Sequence, residues 1–193
     1  MTTNQFQSAL AAIDAENSKD PNQELSQPKE LLYSNRMHDR LLKFHPTASE
    51  QLIIAAKAQH ICRWKIPRES FPMTRVGYLQ WREELKKFHS KTTAVILDKV
   101  GYNQEFINRV SFLIEKKAIK KDAESQVIED IICLVFLEYY LEPFVEKHIS
   151  DTDKLKNIIV KTWNKMSENG HAEALKIPYT TRSLQLIKEA LGL

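Results

Sequence analysis

The sequence predicts an all-α protein built as a single-domain bundle of about seven to nine helices. Apolar residues recur at helical spacing along almost the whole chain of 193 residues, and no strand-like alternation extends beyond a few residues. With 4 Gly and 7 Pro, the chain has too few turn-forming residues for the many short strands of a sandwich or barrel. A chain of this length also buries a sizeable hydrophobic core.

The N-terminal part of the chain predicts two helices separated by a polar segment. Phe6 and Ile13 lie seven residues apart, on one face of a short amphipathic helix. Residues 18–28 are polar and predict a loop. Pro28 can open the second helix at its first turn, and Pro46 should end that helix because the residue before a proline avoids the α region.

A helix is predicted from the capping box of Thr47 and Glu50 to about Trp64, and its apolar sides favour a central position. Residues 66–77 contain two prolines and a glycine and predict an irregular segment, which in a compact domain is often functional. Further helices are predicted over 78–100, over 103–117 and over 183–191. Another starts at Asp122 or Ser125 and runs through the apolar residues 131–137. A helix from Asp151 or Asp153 to Met166 is predicted to end at Asn169-Gly170. The single domain thus comprises residues 1–28 as N-terminal helix and loop, 29–167 as core, and 168–193 as C-terminal helix.

Composition narrows the class of protein. The 28 Lys and Arg against 25 Asp and Glu leave a net charge of +3, which disfavours an extended nucleic acid as partner. Cys62 and Cys133 lie in apolar runs without metal-binding spacing, as is typical of a reducing compartment. The N-terminus has no basic region of a signal peptide, and the longest apolar run has seven residues. These features predict a soluble cytoplasmic protein without a membrane partner.

The nearly balanced total charge hides a segregation along the chain. Residues 57–82 contain six basic residues and one acidic residue, whereas residues 122–142 contain six acidic residues and no Lys or Arg. The two segments could simply pair with each other. Alternatively, they could hold a small anionic ligand or nucleotide between them, because guanidinium groups bind phosphate through forked hydrogen bonds and stack on aromatic rings.

Carboxylates on a buried helix need a cation, a metal ion or hydrogen-bond donors. Glu129, Asp130 and Glu138 flank or interrupt the apolar run 131–137, so they are candidate site residues. Among the six histidines, His60 is distinctive because it lies in an apolar stretch and should share a helical face with Arg63 and Trp64. No HExxH or paired Cys/His metal motif is present.

The order of His38, His60, His89 and Asp130 on four separate predicted helices resembles the plan of the HD-domain phosphohydrolases. That resemblance implies a divalent metal ion, which activates water against a phosphate ester. The adjacent His-Asp pair of that family is absent, since Ile61 follows His60. Either Glu129-Asp130 supplies the carboxylate, or no metal ion binds.

A second resemblance covers most of the chain, from about Tyr33 to Met166. The motifs that carry it are YSNRM at 33–37, AQHICRW at 58–64, IPR at 66–68, GYLQWR at 77–82, FH at 88–89, ED at 129–130, CLVFLE at 133–138 and KTW at 161–163. Together they resemble the domain-of-unknown-function family 4202. The resemblance implies a one-domain protein and supplies no activity, and His38 has no strong place in these motifs.

Three functions are open at this point. The first is a metal-dependent hydrolase or transferase for a small phosphorylated or nucleotide-like substrate, with His60, His89, Glu129 and Asp130 as catalytic residues and His60, His89, Asp130 and, more weakly, His38 as metal ligands. Its ligand-binding residues would be Arg36, Arg63, Trp64, Arg68, Trp81, Arg82 and Glu138. The second is a non-catalytic module that binds a nucleotide or an RNA end, and the third is a structural or regulatory helical protein. The enzyme requires the rings of His60 and His89 to lie within reach of one acid.

Overall fold

The structure, a computed structural model, describes residues 4–193 and confirms the all-α class. These residues contain ten α-helices, a two-residue antiparallel strand pair, two short 3-10 turns and one π-helical segment. The chain divides into two compact units, an N-terminal unit that ends at Ala118 and a C-terminal unit that begins at Ile119. The organisation of residues 1–193 as one domain stays a prediction.

The N-terminal unit is a bundle of five helices. They are α1 (Asn4–Asn17), α2 (Lys29–Phe44), α3 (Glu50–Lys57), α4 (Arg75–Val100) and α5 (Gln104–Ile114), with the strands β1 (Gln23–Glu24) and β2 (Gln27–Pro28) between α1 and α2. Helix α4 packs against α1 and α5, and α3 packs against α1, α2 and α5. The strand pair lies inside the segment 18–28 that the sequence predicts as loop. The core of this unit includes Ile13, Met37, Leu41, Leu52 and Leu97, all fully buried.

The predicted helix from Thr47 to Trp64 is wrong at both ends. Ser49 is the N-cap, because its hydroxyl accepts a hydrogen bond from the Leu52 amide. The helix ends at Lys57, and turns followed by a 3-10 turn over Arg63–Lys65 take its place. The chain is diverted at Cys62, which has a left-handed backbone (φ 54°) and whose amide donates to Asn17 Oδ1 at 3.1 Å. His60, Arg63 and Trp64 therefore lie in a connecting segment and not on one helix.

The irregular segment before α4 is held by Gly77 and Arg68. A second 3-10 turn covers Arg68–Ser70, and the Arg68 guanidinium donates to the carbonyls of Phe71, Pro72 and Thr74. Helix α4 starts at Arg75, three residues before the predicted start, and ends at Val100 with Gly101 as its C-terminal cap, as predicted.

Gly77 permits the close approach of this segment to α4. A Cβ atom at Gly77 would lie 2.1 Å from the Pro72 carbonyl oxygen, so the backbone would have to shift. We expect Gly77→Ala to lower the free energy of unfolding by about 1–3 kcal/mol. Gln80→Ala, at an exposed position of the same helix, should change it by less than about 0.5 kcal/mol. Equal urea midpoints for the two variants would contradict this packing.

The C-terminal unit contains five further helices. They are α6 (Ala123–Val135), continued by the π-helical segment Phe136–Tyr140, α7 (Leu141–Lys147), α8 (Thr152–Trp163), α9 (Glu168–Ala174) and α10 (Thr181–Leu191). Helix α6 packs against α9, and α10 packs against α7 and α8. Asp122 and Asp151 cap α6 and α8, which decides between the predicted alternatives.

Asn169-Gly170 does not end a helix, contrary to the prediction. The Ser167 hydroxyl accepts a hydrogen bond from the Gly170 amide and starts α9, so Asn169 and Gly170 lie in its first turn. Short helices such as α7 and α9 raise the number of α-helices within residues 4–193 to ten, above the predicted seven to nine. No helix within residues 4–193 is long and apolar enough to span a membrane.

Candidate functional site

Glu30 lies in the first turn of α2 with its side chain only 8% exposed. Its amide donates to Asp20 Oδ2 at 3.0 Å, which provides the cap that Pro28 lacks. Glu30 was not among the predicted site residues. The available signal was its spacing, because Glu30, Tyr33 and Met37 follow the i, i+3, i+7 pattern of the buried face of α2.

His60 links Glu30 to Arg63 by two hydrogen bonds. Its Nδ1 lies 3.1 Å from Glu30 Oε2, and its Nε2 lies 3.0 Å from Arg63 Nη1. A guanidinium only donates, so Nε2 accepts from Arg63 and the ring proton resides on Nδ1, which donates to Glu30. The hydrogen bonds thus run in one direction, from Arg63 through a neutral His60 to Glu30.

Rings on two sides hold the His60 imidazole. The Tyr33 ring stacks on it with centroids 3.8 Å apart and planes 10° apart, and the His89 ring is tilted at 6.1 Å. The His60 side chain remains 27% exposed, whereas His89 is 3% exposed. His60 is therefore the one of these two imidazoles that solvent can reach.

His89 lies on α4, and its Nδ1 donates to the Ile61 carbonyl at 2.7 Å. This bond fixes the turn that carries His60. Among residues 4–193, no hydrogen-bond partner faces the buried Nε2 of His89. The structure thus brings the rings of His60 and His89 to within 6.1 Å of each other, and the acid that contacts His60 is Glu30, not Glu129 or Asp130.

Burial shifts the ionisation of all three groups toward the neutral form. It raises the pKa of Glu30 to about 7 and lowers the pKa of His89 to about 3. The pKa of His60 lies well below its usual range, first because of burial and then because of the Arg63 charge. At neutral pH both imidazoles are therefore uncharged and His60 Nε2 carries a lone pair.

The positive charges of several residues act on His60. After burial and Arg63, the charges of Lys116, Arg82 and Lys29 lower the pKa of His60 further. Burial lowers the pKa of Arg63, and the Arg82 charge lowers it further, whereas Glu30 opposes this shift. Four positive charges thus act on one partly exposed, neutral imidazole whose bonded acid is Glu30. An excess of positive charge near a site favours an anionic ligand.

Three of the predicted arginines have no carboxylate partner. Within residues 4–193, the guanidinium groups of Arg63, Arg68 and Arg82 form no ion pair with Asp or Glu. Arg63 lies over the Trp81 ring at 4.7 Å, and Arg82 lies over the Tyr78 ring at 5.9 Å. Arg68 has the structural role described above, with its guanidinium on loop carbonyls.

Trp81 is part of the packed structure, and its ring is not open to stacking by a ligand. It is 8% exposed, its Nε1 donates to the Ile66 carbonyl at 2.9 Å, and Arg63 covers its ring. Trp64 is partly buried in the 3-10 turn that begins at Arg63. Arg36 forms an ion pair with Glu24, and His38 Nδ1 lies 3.2 Å from the exposed Asp39.

The predicted acidic residues belong to the C-terminal unit. Asp130 is 1% exposed and accepts hydrogen bonds from the Ser167 amide (2.7 Å), the Ser167 hydroxyl (2.6 Å) and the Gln126 side chain (3.1 Å). Glu129 Oε1 lies 3.5 Å from Lys165 Nζ, and Glu138 lies in the π-helical segment. These hydrogen bonds of Asp130 join α6 to the start of α9, so the role of Asp130 in this structure is to hold the two helices together.

The residues around His60 do not fit a divalent metal ion. The His60 Nε2 lone pair is directed at the Arg63 guanidinium, and four cations act on the same ring. Within residues 4–193, no three His, Cys, Asp or Glu side chains are grouped as metal ligands. Metal binding by His60, His89 and Asp130 stays a prediction, which metal analysis of the purified protein tests.

The raised pKa of Glu30 makes the stability of the protein depend on pH. Because the folded state holds this proton up to about pH 7 and the ordinary pKa is 4.5, the wild type should lose stability as the pH rises between these values. Glu30→Gln keeps an acceptor for His60 and removes the ionisation. We expect its free energy of unfolding to gain about 3 kcal/mol relative to wild type between about pH 4.5 and about pH 8.

Urea unfolding at several pH values measures this difference. Glu83→Gln, which removes a 58% exposed carboxyl on α4, should leave the pH profile of the wild type unchanged. A constant difference between Glu30→Gln and wild type across this range would show that Glu30 is ionised in the folded protein.

Comparisons with known proteins identify a family. No curated protein and no solved structure matches the chain. The family model described as a domain of unknown function (DUF4202) matches residues 7–187. That match includes α2, α4 and the segment between them, and it extends into α10 of the C-terminal unit. The chain therefore belongs to the DUF4202 family.

Proposed function

We propose that the protein is a hydrolase or transferase that acts on a small phosphorylated molecule bound beside His60. The observation that carries the proposal is the directed hydrogen-bond chain from Arg63 through His60 to Glu30, with the charges of further cations acting on His60. A neutral imidazole held by a carboxyl group at Nδ1 has the arrangement of a general base or a nucleophile at Nε2. The cations supply the charge that a phosphoryl group requires.

The ligand itself would release His60 Nε2. In the unliganded site, Arg63 Nη1 donates to this nitrogen at 3.0 Å. A phosphate oxygen is a stronger acceptor for a guanidinium than a neutral imidazole, because both partners are then charged. Binding of phosphate to Arg63 would therefore free the Nε2 lone pair for the reaction.

The aromatic residues favour a small phosphorylated molecule over a nucleotide whose base stacks on Trp81. The Trp81 ring is buried and covered by Arg63, and both Arg68 and Arg82 lie about 6 Å from the Tyr78 ring centre. A base would have to displace a guanidinium from either ring. A sugar phosphate or acyl phosphate makes no such demand.

The test is thermal unfolding with inorganic phosphate, a sugar phosphate and a nucleoside monophosphate, followed by an assay for released phosphate. Phosphate and the sugar phosphate should raise Tm above that in sodium chloride of equal ionic strength, as expected for ligands of the folded state. No rise above the chloride control would contradict the proposal. A rise without any turnover of phosphorylated compounds would instead support the non-catalytic binding module.

A further inference from the structure

Two neutral imidazoles lie side by side in this site, but only one has the surroundings of a nucleophile. His60 has a carboxyl group on Nδ1 and a guanidinium at Nε2, and 27% of its side chain is exposed. His89 has a backbone carbonyl on Nδ1, and its Nε2 is buried. Of the two rings, only His60 therefore has exposed surface from which a phosphoryl group could approach.

We propose that His60 Nε2 is a nucleophile that accepts a phosphoryl group, so that the reaction passes through a phosphohistidine. This inference rests on the proposed function and names its covalent step. The class of donor is a small phosphate ester or acyl phosphate, and the acceptor in the second step is water or another hydroxyl group.

The first step balances within the residues of the site. The Nε2 lone pair forms a bond to phosphorus, and the bond from phosphorus to the leaving oxygen breaks with its electron pair. The developing positive charge on the ring is relieved at Nδ1, whose proton moves across the 3.1 Å hydrogen bond to Oε2 of ionised Glu30, the form that this carboxyl group takes above its pKa of about 7. Arg63, which contacts Nε2 in the unliganded site, donates instead to the phosphoryl oxygens once the ligand is bound, so that Nε2 is free to attack.

The second step restores the resting state. The oxygen of water or of an acceptor hydroxyl attacks phosphorus, the bond from phosphorus to Nε2 breaks, and its electron pair returns to Nε2. Glu30 returns the proton to Nδ1, and the proton of the attacking hydroxyl is released to solvent. The stacked Tyr33 and the tilted His89 keep the ring in one orientation through both steps.

The proposal is tested with acetyl phosphate, whose acetate leaving group needs no proton. The full-length protein is incubated with it, quenched in alkali, which preserves phosphohistidine, and analysed by intact mass and peptide mass spectrometry. We expect a mass gain of one phosphoryl group on the peptide containing His60, and loss of this gain on acid treatment.

Variants distinguish phosphorylation of His60 by the proposed mechanism from non-specific phosphorylation of side chains by acetyl phosphate. His60→Asn keeps a donor toward Glu30 but lacks Nε2, and it should reduce the label at least about a hundredfold. His60→Gln serves as a second variant if His60→Asn melts at lower temperature. Glu30→Gln should slow labelling about tenfold or more, because it cannot accept the proton. His148→Asn, which alters a partly exposed histidine of the C-terminal unit, should leave the label on His60 unchanged.

The outcomes distinguish this step from the proposed function. If inorganic phosphate raises Tm but no alkali-stable label forms at any time point, the nucleophile is ruled out and His60 acts as a general base. If labelling persists in both His60 variants, the proposal is wrong. If inorganic phosphate does not raise Tm and acetyl phosphate does not label the protein, both the covalent step and the proposed function fail.

Discussion

Replacing Asp130 with Ala is expected to destabilise the protein strongly while leaving ligand binding at His60 intact in the molecules that remain folded. Asp130 accepts three hydrogen bonds, two of them from Ser167, and is 1% exposed. Removal of the carboxylate leaves the backbone amide of Ser167, the N-cap residue of α9, without an acceptor. Buried donors left unpaired in this way cost about 1–3 kcal/mol each, so we expect a loss of about 3–5 kcal/mol.

Asp130→Asn is the matched control, because it retains one carbonyl oxygen at the same position. It should lose less than half as much stability as Asp130→Ala in urea unfolding. If Asp130→Ala instead unfolds like wild type but no longer binds phosphate or metal ions, Asp130 is a functional ligand. The structural role assigned to it would then be wrong.

Replacing Arg63 with Gln is expected to raise the Kd for inorganic phosphate by about tenfold to a hundredfold. A hydrogen bond to a charged group contributes about 1.5–3 kcal/mol, and Arg63 is the cation in direct contact with His60. The effect is measured by isothermal titration calorimetry at constant ionic strength. Arg63→Lys, which retains the charge without the forked donors, should fall between wild type and Arg63→Gln.

Lys99→Gln controls for the loss of one positive charge. Lys99 is exposed in the last turn of α4, ten residues beyond His89 and therefore about 15 Å along the helix. It should leave the Kd nearly unchanged, since an exposed charge at this distance is screened by salt. Equal weakening by Lys99→Gln and Arg63→Gln would mean that phosphate responds to net charge and not to a defined site.

The sequence predicted the helical class and several helix ends because these depend on local signals, whereas the helix predicted over 103–117 ends at Ile114 and the one predicted to reach Met166 ends at Trp163. Pro28 opens α2, Asn103 caps α5 and Gly101 ends α4. The helix after Thr47 was overextended because its end depends on a contact between distant residues. Asn17 accepts a hydrogen bond from the Cys62 amide, 45 positions away, and no local pattern announces that bond.

The candidate site could be predicted only in part, because some of its contacts join residues that are distant in the sequence. His60, His89, Arg63 and Arg82 stood out by residue type and lie in one region, whereas Glu30 was missed because acids at helix starts are common. Its role appears only when the fold places it 3.1 Å from His60. Asp130 was assigned to the site because it is a buried acid, and its donors, the Ser167 amide and hydroxyl, became visible only with the packing of α6 on α9.

The most direct test of the central claim is the ring ¹⁵N spectrum of His60 at neutral pH with increasing inorganic phosphate. His60→Asn assigns the signals, and His148 serves as the internal reference. We predict a neutral ring with its proton on Nδ1, and a phosphate-dependent change at Nε2 as Arg63 turns to the anion. A His60 ring that is protonated on both nitrogens, or that does not respond to phosphate at any concentration, would contradict the account.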